Sequence, residues 1–207
     1  MTPSGPRIAV LNYRMGNLRS VQKALELAGA EVSIAGTAQE ADGATALVLP
    51  GVGAFGDAMH NLRALGFDRV VLAAADRDTP LLGICVGLQV LFESSTEMGE
   101  HAGLGLFPGQ VRRFAPGLVV PHVGWNQLHL RQRHFLVQGV ESGAHAYFTH
   151  SYYAEPADDS LVVATTDYGT HFASICARER VYGVQFHPEK SWHVGLGLLR
   201  SFVESLA

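Results

Sequence analysis

The first ninety residues alternate short apolar runs with stretches of helical spacing, and that alternation limits the fold more than any other feature. "RIAVLN", "EVSIA", "ALVLP" and "PLLGI" are strand candidates. Leu18, Val21, Leu25 and Ala28 lie near helical spacing behind Asn17, which can cap that helix, and Gly29 can end it. "FGDAMHNLRALG" and "DRVVLAAADR" also read as helices. Apolar strands separated by helices imply a mainly parallel sheet covered on both faces.

From about residue 105 the pattern changes to shorter β-like segments, "QVRRF", "NQLHL", "AYFTHSYYA", "LVVATT" and "SICARERVYGVQF". A closing helix over about 191–205 returns the chain to the parallel layer. The predicted class is α/β, a mainly parallel, mixed central sheet flanked by helices, with additional antiparallel strands in the second half. With 207 residues, 47% of them hydrophobic, the chain can bury one sizeable core. We expect a single domain over 1–207, with residues 1–6 a flexible N-terminal extension.

The formal net charge of −4 leaves no basic footprint, so no nucleic-acid partner is expected. No uninterrupted apolar stretch reaches the roughly eighteen residues of a membrane span. "MTPSGPRIAV" lacks the basic start and apolar block of a secretory signal, which points to the cytoplasm and to reduced cysteines at Cys85 and Cys176. The ten histidines are scattered without HExxH or paired CxxC spacing, so neither a metal nor another cofactor is expected.

Cys85 lies in "GICVGLQ", where the apolar "PLLGI" gives way to the amphipathic "VGLQVLFES". A free cysteine is most often a small buried hydrophobe. Gly-Ile-Cys-Val-Gly, however, repeats the form of the G-x-S-x-G nucleophile elbow at a predicted strand-to-helix turn. Gly83 and Gly87 give such a sharp turn the side-chain-free neighbours it needs. A helix N-terminus there would favour the thiolate, and the N–H of Val86 would face an oxyanion. By pattern alone, both readings stand.

A thiol nucleophile needs a proton acceptor, and "QFHPEKS" offers His187 at a strand end. Pro188 biases His187 towards extended backbone, in which His187 and Glu189 point to the same side, and a carboxylate beside an imidazole can orient it. A second oxyanion donor fits the glycine-rich "VLPGVGAFG", whose backbone N–H groups are free to approach a ligand. Alone, that segment could equally be a simple βα turn.

"LPGVG", "GICVGLQ" and "VQFHPEKS", in this order and at these distances, resemble the glutaminase domains of class I glutamine amidotransferases. "NYRMGNLRS", "PGVGAFGDAM", "PHVGWN" and "THSYY" narrow the resemblance to the glutaminases of imidazole glycerol phosphate synthases, from about Arg7 to the C-terminus. The resemblance implies a flavodoxin-like core and a Cys85, His187, Glu189 triad that hydrolyses L-glutamine through a thioester. It implies an oxyanion hole at Val52 and Val86 on a loop with Gly51 and Gly53. Glutamine would be held by Gln89, Glu97 and the backbone around His150, Ser151 and Tyr152.

It further implies a heterodimer with a separate cyclase subunit that receives the ammonia, both hydrolase and lyase chemistry, and an interface at Asn17, Trp125 and Lys190. Without the family, Trp125 would read as a core aromatic and Lys190 as a solvated charge. Arg14 departs from the pattern, since a small residue, often glycine, is expected there. Competing readings are a glutaminase of another class I system, a stand-alone cysteine peptidase, or a catalytically silent regulatory module. The short length and "PHVGWN" speak against the first, and the intact Cys85, His187 and Glu189 against the last.

Overall fold

The computed structural model describes residues 5–206. Residues 1–4 of the expected extension lie outside them. Of the remainder, the Pro6 carbonyl accepts from Glu31 N–H at 3.0 Å, and a Cβ on Gly5 would run into Gly29.

The first half follows the predicted alternation: β1 (Arg7–Leu11), α1 (Leu18–Leu27), β2 (Glu31–Ala35), a short α2 (Ala38–Ala41), β3 (Ala46–Gly51), α3 (Phe55–Ala64), α4 (Phe67–Asp76) and β4 (Leu81–Cys85). The Asn17 side chain makes no capping bond. The helix start is closed instead by backbone, Val21 N–H to the Asn17 carbonyl. Gly29, at φ 104, ends α1 as expected: its N–H reaches Glu26 and that of Ala30 reaches Leu25, the paired bonds of a Schellman turn.

The amphipathic stretch after Cys85 departs from expectation. Only α5 (Val86–Gln89) is helical, and the chain then turns into β5 (Phe92–Ser95) and β6 (His101–Ala102). Phe92 packs edge-on against Phe107, so tertiary packing overrides the helical spacing of a short apolar run.

The second half supplies β7 (Phe107–Arg113), β8 (His122–Leu130), β9 (Ala144–His150), β10 (Tyr152–Pro156), β11 (Val162–Asp167), β12 (His171–Arg178) and β13 (Val181–Val184), and α6 (Trp192–Glu204) closes the chain. "AYFTHSYYA" is therefore two strands, broken at Ser151, and they belong to different sheets.

The main sheet runs β2-β1-β3-β4-β13-β12-β11-β8-β9, and a smaller one runs β10-β7-β5-β6. Its first five strands are parallel and the rest antiparallel. β3 and β4 are buried at every position, whereas β8 alternates, as expected for a doubly covered parallel centre beside an antiparallel flank. α1 packs on α6 and α3 on α4. Leu198, Leu199 and Phe202 of α6 are buried, each worth about 1.5–3 kcal/mol relative to exposure. No helix among the described residues is long and apolar enough to cross a membrane.

Candidate active site

Three neighbouring parallel strands end at the same edge of the main sheet. β3 ends at Gly51, opposite Cys85 of β4, and the segment beyond β13 runs through Gln185 to His187. In open α/β sheets the carboxyl ends of strands are where ligands bind. A cavity of about 320 Å³ opens there, and its wall includes Cys85, Val86, Val52, Gly53 and His187. All the residues expected to bind glutamine (Gln89, Glu97, His150, Ser151 and Tyr152) line it as well.

Cys85 is buried, with φ 56 and ψ −110, a left-handed conformation that a residue with a Cβ adopts only under strain. The flanking glycines permit it. A Cβ on Gly87 would run into the Leu49 carbonyl, and one on Gly83 into the Gly87 backbone. Behind the sulfur stands the single turn of α5, so the long helix that would have favoured a thiolate is absent.

His187 Nδ1 lies 2.9 Å from Glu189 Oε1, and both side chains are almost fully buried. The pairing does not come from strand parity: Pro188–Lys190 forms one turn of 3-10 helix, which folds Glu189 back onto the ring. Burial by itself would lower the His187 pKa. The Cys85 sulfur and the Glu189 carboxylate outweigh it and lift the value to about 9. The backbone of His187 is clamped on both sides. Its N–H donates to the Tyr147 carbonyl, and its carbonyl accepts from Ser191 Oγ, which in turn accepts from Tyr147 N–H. α6 approaches so closely that a Cβ on Gly195 would meet the Pro188 carbonyl.

A hydrogen-bonded series runs back from His150 and Tyr152 on the cavity wall. His150 Nδ1 is 2.8 Å from the Tyr152 carbonyl and therefore carries the proton, which leaves Nε2 to accept from His122 Nδ1 at 3.4 Å. Asn126 completes it, bonding His122 Nε2 and the Asp167 carbonyl. Burial, with added repulsion from His122 and His187, lowers the His150 pKa to about 3, so this ring is neutral near pH 7. Gln89 donates to the same Tyr152 carbonyl at 2.8 Å. Glu97 Oε2 accepts from Phe55 N–H at 2.7 Å, which caps α3 where Ala54 has no side chain to do so.

Asn17, Trp125 and Lys190 lie outside the cavity wall. Asn17 is exposed at the start of α1, which touches the Pro188–Lys190 turn. Trp125 is 44% exposed and 5.1 Å from Trp192, while Lys190 Nζ sits 5.8 Å over the Tyr147 ring. Arg14 has φ 67, which explains why glycine suits that position.

Sequence reasoning passed over Gln185, Ser191 and His122. For Gln185 a signal existed: it precedes His187 by two residues, the period that puts two strand side chains on one face. His122 carried none, because its partner lies 28 residues away. Among the described residues no group of three or more His, Cys, Asp or Glu side chains is arranged to hold a metal ion.

Residues 9–204 match the family model of Glutamine amidotransferase class-I. The chain is 48% identical to "Imidazole glycerol phosphate synthase subunit HisH" of Moorella thermoacetica over 197 residues, 95% of this chain and 94% of the relative. To the subunit of the same name in Halobacterium salinarum it is 50% identical over 210 residues, 98% of this chain and 95% of the relative. In fold it is similar to a chain in the structure of PurLQS from Thermotoga maritima, with a TM-score of 0.80 at 22% identity, over 98% of this chain and 100% of that one. The matches are to amidotransferases, so the lyase chemistry expected from the resemblance is withdrawn for this chain. A cysteine elbow and a carboxylate-paired imidazole on the wall of one small cavity fit these matches, and the matches show that the chain belongs to the class-I glutamine amidotransferase family, among the HisH subunits of imidazole glycerol phosphate synthase.

Proposed function

We propose that this chain, as one glutamine amidotransferase domain, hydrolyses L-glutamine to glutamate and ammonia and passes the ammonia to a cyclase subunit with which it forms a heterodimer in the cytoplasm. The observation that supports this most is Cys85 at its strained elbow beside the buried His187–Glu189 pair.

The Cys85 thiolate adds to the side-chain amide carbon of glutamine, and the carbonyl becomes an oxyanion that faces the N–H groups of Val52 and Val86. Gly51 and Gly53 let that loop approach closely. A single oxyanion donor is worth about 2.7–4 kcal/mol in the transition state. As the carbon–nitrogen bond breaks, His187 gives its proton to the leaving nitrogen, which departs as ammonia and leaves a γ-glutamyl thioester. His187 then takes a proton from water, whose oxygen attacks the thioester, and glutamate leaves with the Cys85 sulfur restored. Glu189 holds the imidazole and stabilises its charged form. Glu97 is a carboxylate suited to the substrate's ammonium, and Gln89, His150, Ser151 and Tyr152 complete the pocket.

The face carrying Trp125 and Lys190, with Asn17 close by, is where the cyclase docks, which keeps ammonia out of water that would protonate it. The oxyanion loop rests in a nearly inactive conformation until the partner binds its nucleotide. Glutamate release, measured on the chain alone and then with the cyclase subunit and its nucleotide ligand, tests the proposal. Strong stimulation only in the full mixture is expected. High activity alone would refute the resting state, and no stimulation beside a partner active on free ammonia would refute the pairing.

A further inference from the structure

Gln185 is fully buried just beyond β13, and its backbone N–H donates to Ser174 of β12 at 2.9 Å. Its side-chain amide bridges two groups of the site: Nε2 lies 3.7 Å from Cys85 Sγ, and Oε1 accepts from Gln89 Nε2 at 3.1 Å. A third group fixes which end faces the sulfur. The Tyr152 carbonyl can only accept, so the end of Gln89 that reaches it at 2.8 Å is the NH₂. That same NH₂ needs an acceptor in Gln185, so Gln185 turns its oxygen to Gln89 and its own NH₂ to Cys85. Both amide hydrogens of Gln89 are then committed, and its Oε1 is what remains to meet a substrate.

A neutral donor binds an anion more strongly than a neutral acceptor, so this contact favours the thiolate over the thiol. The site needs such a donor, because α5 is one turn long and offers little macrodipole. The titratable groups around the sulfur are Tyr13 after β1, Glu97 after β5, His150 and Tyr152 beside Ser151, and His187 and Glu189 after β13. Burial keeps Tyr13 and His150 uncharged near neutral pH.

We infer that Gln185 is a positioning residue for the reaction, whose side-chain N–H holds the Cys85 sulfur in its anionic form and whose oxygen sets the orientation of Gln89. The inference rests on the proposed role of Cys85 as nucleophile.

The test compares the wild type with Gln185→Met, which keeps the length without the donor, and Gln185→Glu, which replaces the donor by a charge. Cys85 alkylation by iodoacetamide is followed by peptide mass spectrometry from pH 5 to 9, with buried Cys176 as the internal check of folding. Near pH 6.5, Gln185→Met should alkylate about tenfold more slowly, with the deficit closing at high pH, and Gln185→Glu more slowly still. The acid limb of glutamate release should move to higher pH in the same order. Rates and acid limbs within twofold of wild type, with Cys176 still protected, would overturn the inference.

A measurement on the unmutated chain does not depend on how the variants fold. The Gln185 side-chain amide signals of the ¹⁵N-labelled protein should move over the pH range of the acid limb, and signals that stay fixed would overturn it. Cys85→Ala separates the two readings. If that variant still releases glutamate, the nucleophile assignment fails; if it is silent while the Gln185 variants keep wild-type pH behaviour, only the role of Gln185 fails.

Discussion

Cys85 and Cys176 are the same residue in the same sheet, both reduced and both buried, with β13 between their strands. Cys176 lies within β12, opposite Gly183, and burial pushes its thiol up to about 12. Cys85 lies at the end of β4, in a left-handed conformation, with the Gln185 amide 3.7 Å from its sulfur and His187 on the wall of the same cavity. The sheet thus contains its own control. Burial alone holds the Cys176 thiol protonated, whereas the strand end lets polar groups converge on Cys85 without breaking a ladder, the setting the proposed nucleophile needs.

The sharpest way to break this comparison is to exchange the outcomes. Cys85→Ala should lower glutamine hydrolysis by at least roughly 10⁴-fold while ammonia-driven turnover in the complex persists. Cys176→Ala should stay within about twofold and lose about 1 kcal/mol of stability, read from glutamate release and thermal melts. The reverse pattern would remove Cys85 from the mechanism.

Glu189→Gln tests whether the pair beside Cys85 makes the difference. Activity should fall roughly 10³- to 10⁴-fold, comparable to a triad carboxylate changed to an amide. Gly87→Ala tests the elbow: its new methyl meets the Leu49 carbonyl, and about 3 kcal/mol of stability should be lost on chemical denaturation.

Stability against pH distinguishes the regions by their windows. His187 is raised from 6.5 to about 9, so the native state holds a proton that the unfolded chain has released between those values. Its contribution is complete below about 6.5 and is lost as pH rises to about 9. Cys176, raised from 9.0 to about 12, stays protonated in the native state while the unfolded chain ionises, so its loss of stability begins above 9. Denaturation midpoints measured across this range should fall in both windows, and Cys176→Ala should flatten the upper one only.

The smallest effect belongs to Arg14, which shares the left-handed strain of Cys85 but has no assigned chemistry. Arg14→Gly should raise stability by up to about 1 kcal/mol. A fall in the melting temperature would show that the Arg14 side chain contributes more than its backbone strain costs.

Periodicity and punctuation made the βαβ half legible, because β1 to β4 and their helices are each specified by local spacing and end signals such as Gly29. The stretch after Cys85 misled, because a short apolar run fits a helix or a buried strand equally and Phe107 decides between them. In the site, Cys85, His187 and Glu189 could be found from motif form. The geometry of the last pair could not, since Pro188–Lys190 is a turn and extended parity gave the right neighbours for the wrong reason.

By itself, the sequence determined an α/β fold, a glycine-flanked cysteine at a strand end and a histidine–carboxylate pair at another. These follow from local rules: the side-chain period, the φ range open to glycine, and the fixed φ of proline. Only the tertiary structure decided that β3, β4 and β13 would end side by side, that Ser151 would pass the chain from one sheet to the other, and that Gln185 would turn its amide to the sulfur. Those choices join residues up to 100 positions apart through hydrogen bonds with single permitted directions, and such directions exist only once every partner is in place.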